Sequence, residues 1–177
     1  QRRFGGRCLI GAGTVLRALD RRQGRRVALK IPHDTDAQGL LAIKREFRVL
    51  AGVSHPNLVA FHELFVGPSE CFFSMELVRG MDCVQWVERA GTASIPRVAA
   101  GLASGLEHLH ALGILHGDLK PSNAWVDAHG TPVLLDFGLA REAAGPSHER
   151  LAGTLPFLAP ELFRGARPSP ATDLYAL

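Results

Sequence analysis

The sequence predicts an α+β fold, and three features carry that prediction. Short β-like runs fill residues 1–31. An amphipathic helical stripe follows over 37–51, and a longer one spans 95–112. Apolar residues recurring every three to four positions mark a helix buried on one side, whereas short β-branched and apolar runs bounded by turn residues mark strands. With 177 residues, 46% of them hydrophobic, the chain can bury a core as one domain or as two small lobes.

Residues 7–10, 14–18 and 26–31 read as strands. The last two form a hairpin through Asp20-Arg21-Arg22-Gln23-Gly24, a turn with glycine near its end. In the helix at 37–51, Leu40, Ile43, Phe47 and Leu50 fall on one stripe, with Glu46 beside it. His55-Pro56-Asn57 breaks the chain before a strand at 58–61, and another strand at 72–78 leads to a linker containing Gly80. Residues 83–90 form a helix. The helix at 95–112 opens near Pro96, a residue tolerated in a first turn. It lines up Val98, Leu102, Leu106 and Leu109, and it ends at Gly113 as a C-cap. Val133-Leu134-Leu135 is a further β-like run, and residues 139–153, with Gly145-Pro146-Ser147, have loop composition.

The formal charge of +3 says little, but its distribution is uneven. Residues 1–50 carry 12 Lys+Arg against 4 Asp+Glu, and the remainder carries 8 against 13. A solvated basic surface around Arg21-Arg22 and Arg25-Arg26 is the plain reading, and a phosphate-rich partner the sharper one. No aromatic residues interleave there, which argues against nucleic acid. Three cysteines (Cys8, Cys71, Cys83) without metal-ligand spacing fit a reduced, cytoplasmic chain. The longest apolar stretch, 98–115, contains Glu107, His108 and His110 and is no membrane span. Nothing in the sequence signals an oligomeric state.

The chemistry concentrates in Leu115-His116-Gly117-Asp118-Leu119-Lys120-Pro121-Ser122-Asn123 and in Leu134-Leu135-Asp136-Phe137-Gly138. Together these offer a carboxylate for a hydroxyl, a cation for phosphate, and an Asn plus a second carboxylate for hard metal ions. Phosphoryl transfer needs this set, because its work is mostly positioning and charge neutralisation. Mg²⁺ prefers oxygen ligands, usually one or two protein carboxylates plus substrate phosphates.

H-x-D-L-K-P-x-N, then Asp136-Phe137-Gly138, then Ala159-Pro160-Glu161 resembles the protein-kinase signature set, in the phrasing of bacterial eukaryotic-like Ser/Thr protein kinases. The resemblance runs from about Leu9 to Leu177. It implies a two-lobed fold: an N-lobe over 1–78 with an antiparallel sheet and one helix, a hinge at 79–82, and a partial, mainly helical C-lobe over 83–177. It also implies ATP and Mg²⁺ as cofactors and a protein substrate bearing Ser or Thr.

By this resemblance Asp118 is the base, Lys120 stabilises the transferring phosphoryl group, and Asn123 and Asp136 hold metal. Val27-Ala28-Leu29-Lys30 resembles the strand whose Lys holds the α/β-phosphates, with Glu46 as its ion-pair partner. Val15, Ala28 and Trp125 would flank the adenine. Met75 would be the gatekeeper, Glu76 and Val78 would give backbone contacts to the base, and Asp82 would meet the ribose. His116 would stack with Phe137, Leu50 and Phe61, and Asp173 would brace the catalytic-loop backbone. Six side chains (Lys30, Glu46, Asp118, Lys120, Asn123, Asp136) are thus expected around one metal-bound triphosphate. Lys120 and Thr154 favour Ser/Thr over Tyr as acceptor.

The chain departs from the family at several points. The glycine-rich loop is irregular: either Gly13 is the third glycine, with Cys8 and Ile10 replacing the first two, or Gly11-Ala12-Gly13 is the G-x-G of a shortened loop. Gly117 replaces an Arg that pairs with a phosphorylated activation loop, so activation is expected not to need phosphorylation at Ser147 or Thr154. Trp125 stands where a medium apolar residue is usual. The Arg partner of Glu161 and several helices would lie beyond Leu177, so the chain is expected to be C-terminally truncated. Two other functions stay open: a pseudokinase scaffold with impaired nucleotide binding, and a small-molecule phosphotransferase suggested by His116-Gly117-Asp118.

Overall fold

The computed structural model describes residues 4–9, 15–32, 37–67, 71–137, 140–142 and 153–177, with only the backbone described at 5–9, 37–39 and 141–142. The chain divides into two compact units. One comprises Gln1–Ser54 and Ala60–Leu77, the other His55–Val59 and Val78–Leu177.

Among the described residues, the first unit is a five-stranded antiparallel sheet with one helix. β1 (Phe4–Leu9), β2 (Val15–Asp20), β3 (Arg25–Lys30), β4 (Phe61–Val66) and β5 (Cys71–Glu76) lie in the order β1-β2-β3-β5-β4. The hairpin turn is fixed by Asp20, only 2% exposed, whose Oδ1 accepts from the N–H groups of Arg22 (2.9 Å) and Gln23 (3.4 Å). Gly24 closes the turn at φ +64°, a left-handed conformation that suits glycine.

Side chains alternate across the pleat, so register sorts the two faces. One face buries Ala18, Val27 and Leu29 against Phe4, Leu16 and Phe72. The other carries Phe61 and Phe73, whose rings meet Phe47 of helix α1 (Ala37–Leu50) at centroid distances of 6.1 and 5.7 Å. Within the expected stripe of α1, Ile43 and Leu50 are buried while Leu40 and Phe47 are half-buried.

The expected strand at 58–61 is not formed. Leu58 makes a single parallel bridge to Leu134, and Val59 donates to the Leu134 carbonyl at 3.0 Å. Those bonds belong to the second unit, whereas Glu76 N–H goes to Ala60 O (2.8 Å) in the first. One ladder therefore cannot run through both halves of the segment, and β4 starts at Phe61 instead. Its sequence, Phe-His-Glu-Leu-Phe-Val, lacks clean alternation, and a register shift between Phe61 and Glu63 accounts for that.

The second unit is built on α3 (Ile95–Ala111), which buries Val98, Leu102, Leu106 and Leu109 together with Gly105. A Cβ on Gly105 would lie 3.0 Å from the Asn57 carbonyl oxygen, so the small residue lets segment 55–59 lie close. Gly113, at φ +72°, follows the helix and donates to the His110 carbonyl.

β6 (Gly80–Asp82), β8 (Ala124–Asp127) and β9 (Pro132–Leu134) form a small antiparallel sheet in the order β6-β8-β9. β7 (Ile114–Leu115) pairs with β10 (Arg141–Glu142). Asp82 caps α2 (Cys83–Ala90) by accepting from Gln85 N–H at 2.9 Å, and α4 (Pro170–Ala176) opens with a capping box between Ser169 and Thr172. Among the described residues no helix is long and apolar enough to cross a membrane, and Cys71 and Cys83 are free thiols.

Candidate active site

In the first unit, Lys30 ends β3 and Glu46 sits in the penultimate turn of α1. The Lys30 Nζ donates to Glu46 Oε1 at 2.6 Å, and the two side chains are 13% and 6% exposed. Charges this far out of water persist only when paired. Register sets Val15 opposite Lys30 and Met75 opposite Ala28, which puts these four residues on one face of the sheet. Val27 is opposite Glu76, on the other face. The Glu76 N–H is already bonded to Ala60 O, so its backbone can offer a ligand only the carbonyl.

In the second unit, the loop between β7 and β8 is fixed from beneath by Asp173. This carboxylate is 3% exposed. Its Oδ2 accepts from His116 N–H (2.9 Å) and from His110 Nε2 (2.8 Å), and its Oδ1 accepts from Gly117 N–H (3.0 Å). His116 is fully buried, and its ring lies 4.9 Å from that of Phe137. His116 Nδ1 accepts from Asp118 N–H (3.3 Å), so Nε2 carries the proton and donates to Leu135 O (3.2 Å). Burial pushes this imidazole below the usual histidine range, against the opposing pull of Asp173.

On this support Asp118 gathers four donors. Oδ1 accepts from Thr154 N–H (3.1 Å) and Thr154 Oγ1 (2.8 Å), and Oδ2 accepts from Lys120 Nζ (2.6 Å) and Asn123 Nδ2 (3.3 Å). Lys120 Nζ also donates to Thr154 Oγ1 at 2.9 Å. Any further group at Asp118 must share it with these donors. Thr154, named with Lys120 in the sequence, has its hydroxyl bonded to both Lys120 and Asp118.

Asn123 spends its amide N–H groups on Asp118, including the backbone carbonyl at 2.8 Å, and among the described residues its Oδ1 receives only a long bond from Ser122 (3.4 Å). Its own backbone carbonyl accepts from Leu135 N–H (2.8 Å), which ties the Asp136 segment to it. Asp136 is exposed and left-handed at φ +54°, while the next residue, Phe137, is fully buried. Aspartate is among the few non-glycine residues that adopt this region readily. Oxygen donors from Asn123 and Asp136 suit a hard cation. Among the described residues no group of three His, Cys, Asp or Glu forms a metal cluster.

Trp125 lies opposite Asp82 in the β6–β8 pairing and donates from Nε1 to Ser122 O (3.0 Å). Val78 precedes this small sheet and is half-buried. A shallow pocket with room for about one water molecule lies beside Asp118 and is lined by Gly117, Thr154, Phe157, Leu158 and Leu162, among others.

The sequence profile described as the protein kinase domain matches residues 10–177. This chain belongs to the protein kinase family. Its kinase relatives include the serine/threonine-protein kinase PknK of Mycobacterium tuberculosis, 36% identical over 94% of the chain and 16% of the relative. PkaB of Streptomyces coelicolor is 34% identical over 85% of the chain and 40% of its own length, and PknE of Mycobacterium bovis is 32% identical over 94% and 31%. The chain thus spans well under half the length of these relatives.

In this kinase chain Lys30 meets Glu46 within one unit, and Asp118, Lys120 and Asn123 meet within the other. Gly11, Gly13, Gly138 and Ser147 lie outside the described residues. Sequence reasoning missed His110 as a partner of Asp173, because a histidine in the last turn of a helix reads as a surface residue. It also missed that Asp82, expected at a ribose, serves as a helix N-cap, although an Asp just before a helix is a recognised start signal.

Proposed function

We propose that this chain is the catalytic part of a serine/threonine protein kinase, transferring the γ-phosphoryl group of ATP to Ser or Thr hydroxyls of protein substrates. The bonded set Asp118–Lys120–Thr154–Asn123 carries this reading. It holds a carboxylate at hydrogen-bond distance from an aliphatic hydroxyl, with an ammonium touching both. Asp118 would orient the acceptor hydroxyl and take its proton, and Lys120 would stabilise negative charge on the phosphoryl oxygens. Asn123 and Asp136 would hold Mg²⁺, which when bound neutralises phosphate charge. Lys30, kept in place by Glu46, would hold the α/β-phosphates. Val15, Ala28, Met75, Glu76, Val78 and Trp125 would contact the adenine, with Gly11 and Gly13 near the phosphates and Asp82 near the ribose. Gly117 offers no cation, so activity is proposed not to need a phosphorylated loop, and Ser147→Ala should stay active.

The test is Mg·ATP-dependent phosphorylation of a generic basic protein by the parent chain and by Asp118→Asn. General-base loss should lower the rate by about 10²–10⁴-fold while the thermal shift with Mg·ATP is retained. The competing scaffold reading rests on the irregular glycine-rich loop sequence and the bulk of Trp125. It is favoured if Mg·ATP gives neither a thermal shift nor transfer.

A further inference from the structure

The tip of the β2–β3 hairpin is a fixed, strongly basic platform that the proposed phosphoryl transfer does not use. Arg21, Arg22, Arg25 and Arg26 are all exposed, and Arg17 is exposed on β2. Among the described residues no carboxylate lies within ion-pair distance of any of these five guanidinium groups. The nearest acidic side chain in sequence, Asp20, is buried and turned inward to cap the turn. Its bonds to the Arg22 and Gln23 N–H groups hold the turn in one shape, so the backbone that presents these arginines is ordered before binding. Leu19, 42% exposed, pairs with Arg26 and shares its face with Arg17, so an apolar contact sits within the charged surface.

We propose that this hairpin tip docks an acidic polypeptide segment of a partner protein, with carboxylate or phosphate side chains held by the arginines and an apolar side chain resting on Leu19. Arginine presents a planar fork that grips carboxylate and phosphate with two parallel bonds, which lysine cannot do. Residues 15–30 contain no aromatic ring on which a base could stack, which disfavours single-stranded nucleic acid. Leu19 is the one apolar residue within 19–26, and a single leucine makes a poor anchor for a lipid surface. β2 and β3 are both inner strands of the sheet, so the partner is read by side chains and not by strand addition.

The experiment is fluorescence anisotropy of a labelled peptide of glutamates and phosphoserines with the whole chain, at low and at physiological salt. The triple variant Arg21→Glu/Arg22→Glu/Arg26→Glu should weaken binding at least about tenfold, since like charge now faces the peptide. Arg21→Lys/Arg22→Lys/Arg26→Lys keeps the net charge and should weaken it several-fold through loss of the fork. Unchanged binding in the Glu variant overturns the proposal, as does full retention in the Lys variant. So does tighter binding of oligothymidylate or of phosphatidylserine vesicles than of the peptide. Circular dichroism checks the fold of each variant, and Arg→Gln at the same positions replaces the Glu set if that set does not fold. The readout is binding, so its result is independent of whether the chain transfers phosphate.

Discussion

Replacing Asp173 with alanine removes the acceptor for the buried backbone N–H of His116, for the half-buried one of Gly117, and for His110 Nε2. A buried donor left without a partner costs about 1–3 kcal/mol, and here two are orphaned while a side-chain contact is also lost. The expected destabilisation is about 3–5 kcal/mol, which for a chain of this size lowers the unfolding midpoint by about 6–20 °C. His110→Ala removes only one of the three bonds and leaves both backbone groups satisfied, so it should cost about 1 kcal/mol. Asp173→Asn keeps one carbonyl oxygen and should fall between the two. Both tryptophans, Trp86 and Trp125, belong to the second unit, so urea unfolding followed by indole fluorescence reports on the unit that contains Asp173. If Asp173→Ala came within about 1 kcal/mol of the parent, or His110→Ala cost as much, the idea that this carboxylate braces the loop would be refuted.

Three further outcomes are expected. Gly80→Ala places a Cβ 1.9 Å from the Val126 carbonyl oxygen, backbone against backbone, and should destabilise by about 2–3 kcal/mol. Gly24→Ala, where nothing lies within 4 Å, should cost only the left-handed strain of about 1 kcal/mol, and unfolding midpoints that reverse this order would sink the packing argument. His55 is held below the usual value of 6.5 by burial and by the stacked ring of His108, 4.9 Å away, and His116 is depressed by burial. For both, the unfolded chain binds the proton more readily. Their stability contribution is therefore complete above pH 6.5 and is lost as pH falls below it. A midpoint that stays flat from pH 7 to about 5.5 would contradict this. Glu46→Gln takes the charge from the partner of Lys30 and should weaken Mg·ATP binding about tenfold by calorimetry; equal affinity would separate Lys30 from the nucleotide.

Helix α3 was fully legible, because four large apolar residues at helical spacing leave no other face to bury. Gly105 was not, since its role depends on a carbonyl some fifty positions earlier in the chain. The strand misplaced to 58–61 shows the same limit: Leu58 and Val59 look like strand residues, but their partner is Leu134, which no local pattern announces. In the candidate site, Asp118, Lys120, Asn123 and Asp136 could be picked out because their types and spacing match a chemistry. Thr154 was named only through the family resemblance and His110 was missed, because their contacts span 36 and 63 positions and no local pattern announces them. The Lys30–Glu46 pair was anticipated from the motif and not from periodicity, as Glu46 is 6% exposed in a place where an isolated helical glutamate would be read as solvated.

Residues 55–59 have a practical consequence for dissecting the molecule. They lie between two stretches of the first unit in sequence, yet Asn57 donates to Pro132 O at 2.7 Å and accepts from Leu134 N–H at 2.8 Å in the second. A fragment cut at residue 78 would lack those five residues, baring the outer edge of β9 and emptying the space that Gly105 keeps open. Isolating the second unit by expression would therefore require grafting or supplying this short peptide in trans, and its capture by a 78–177 fragment would make a direct complementation assay.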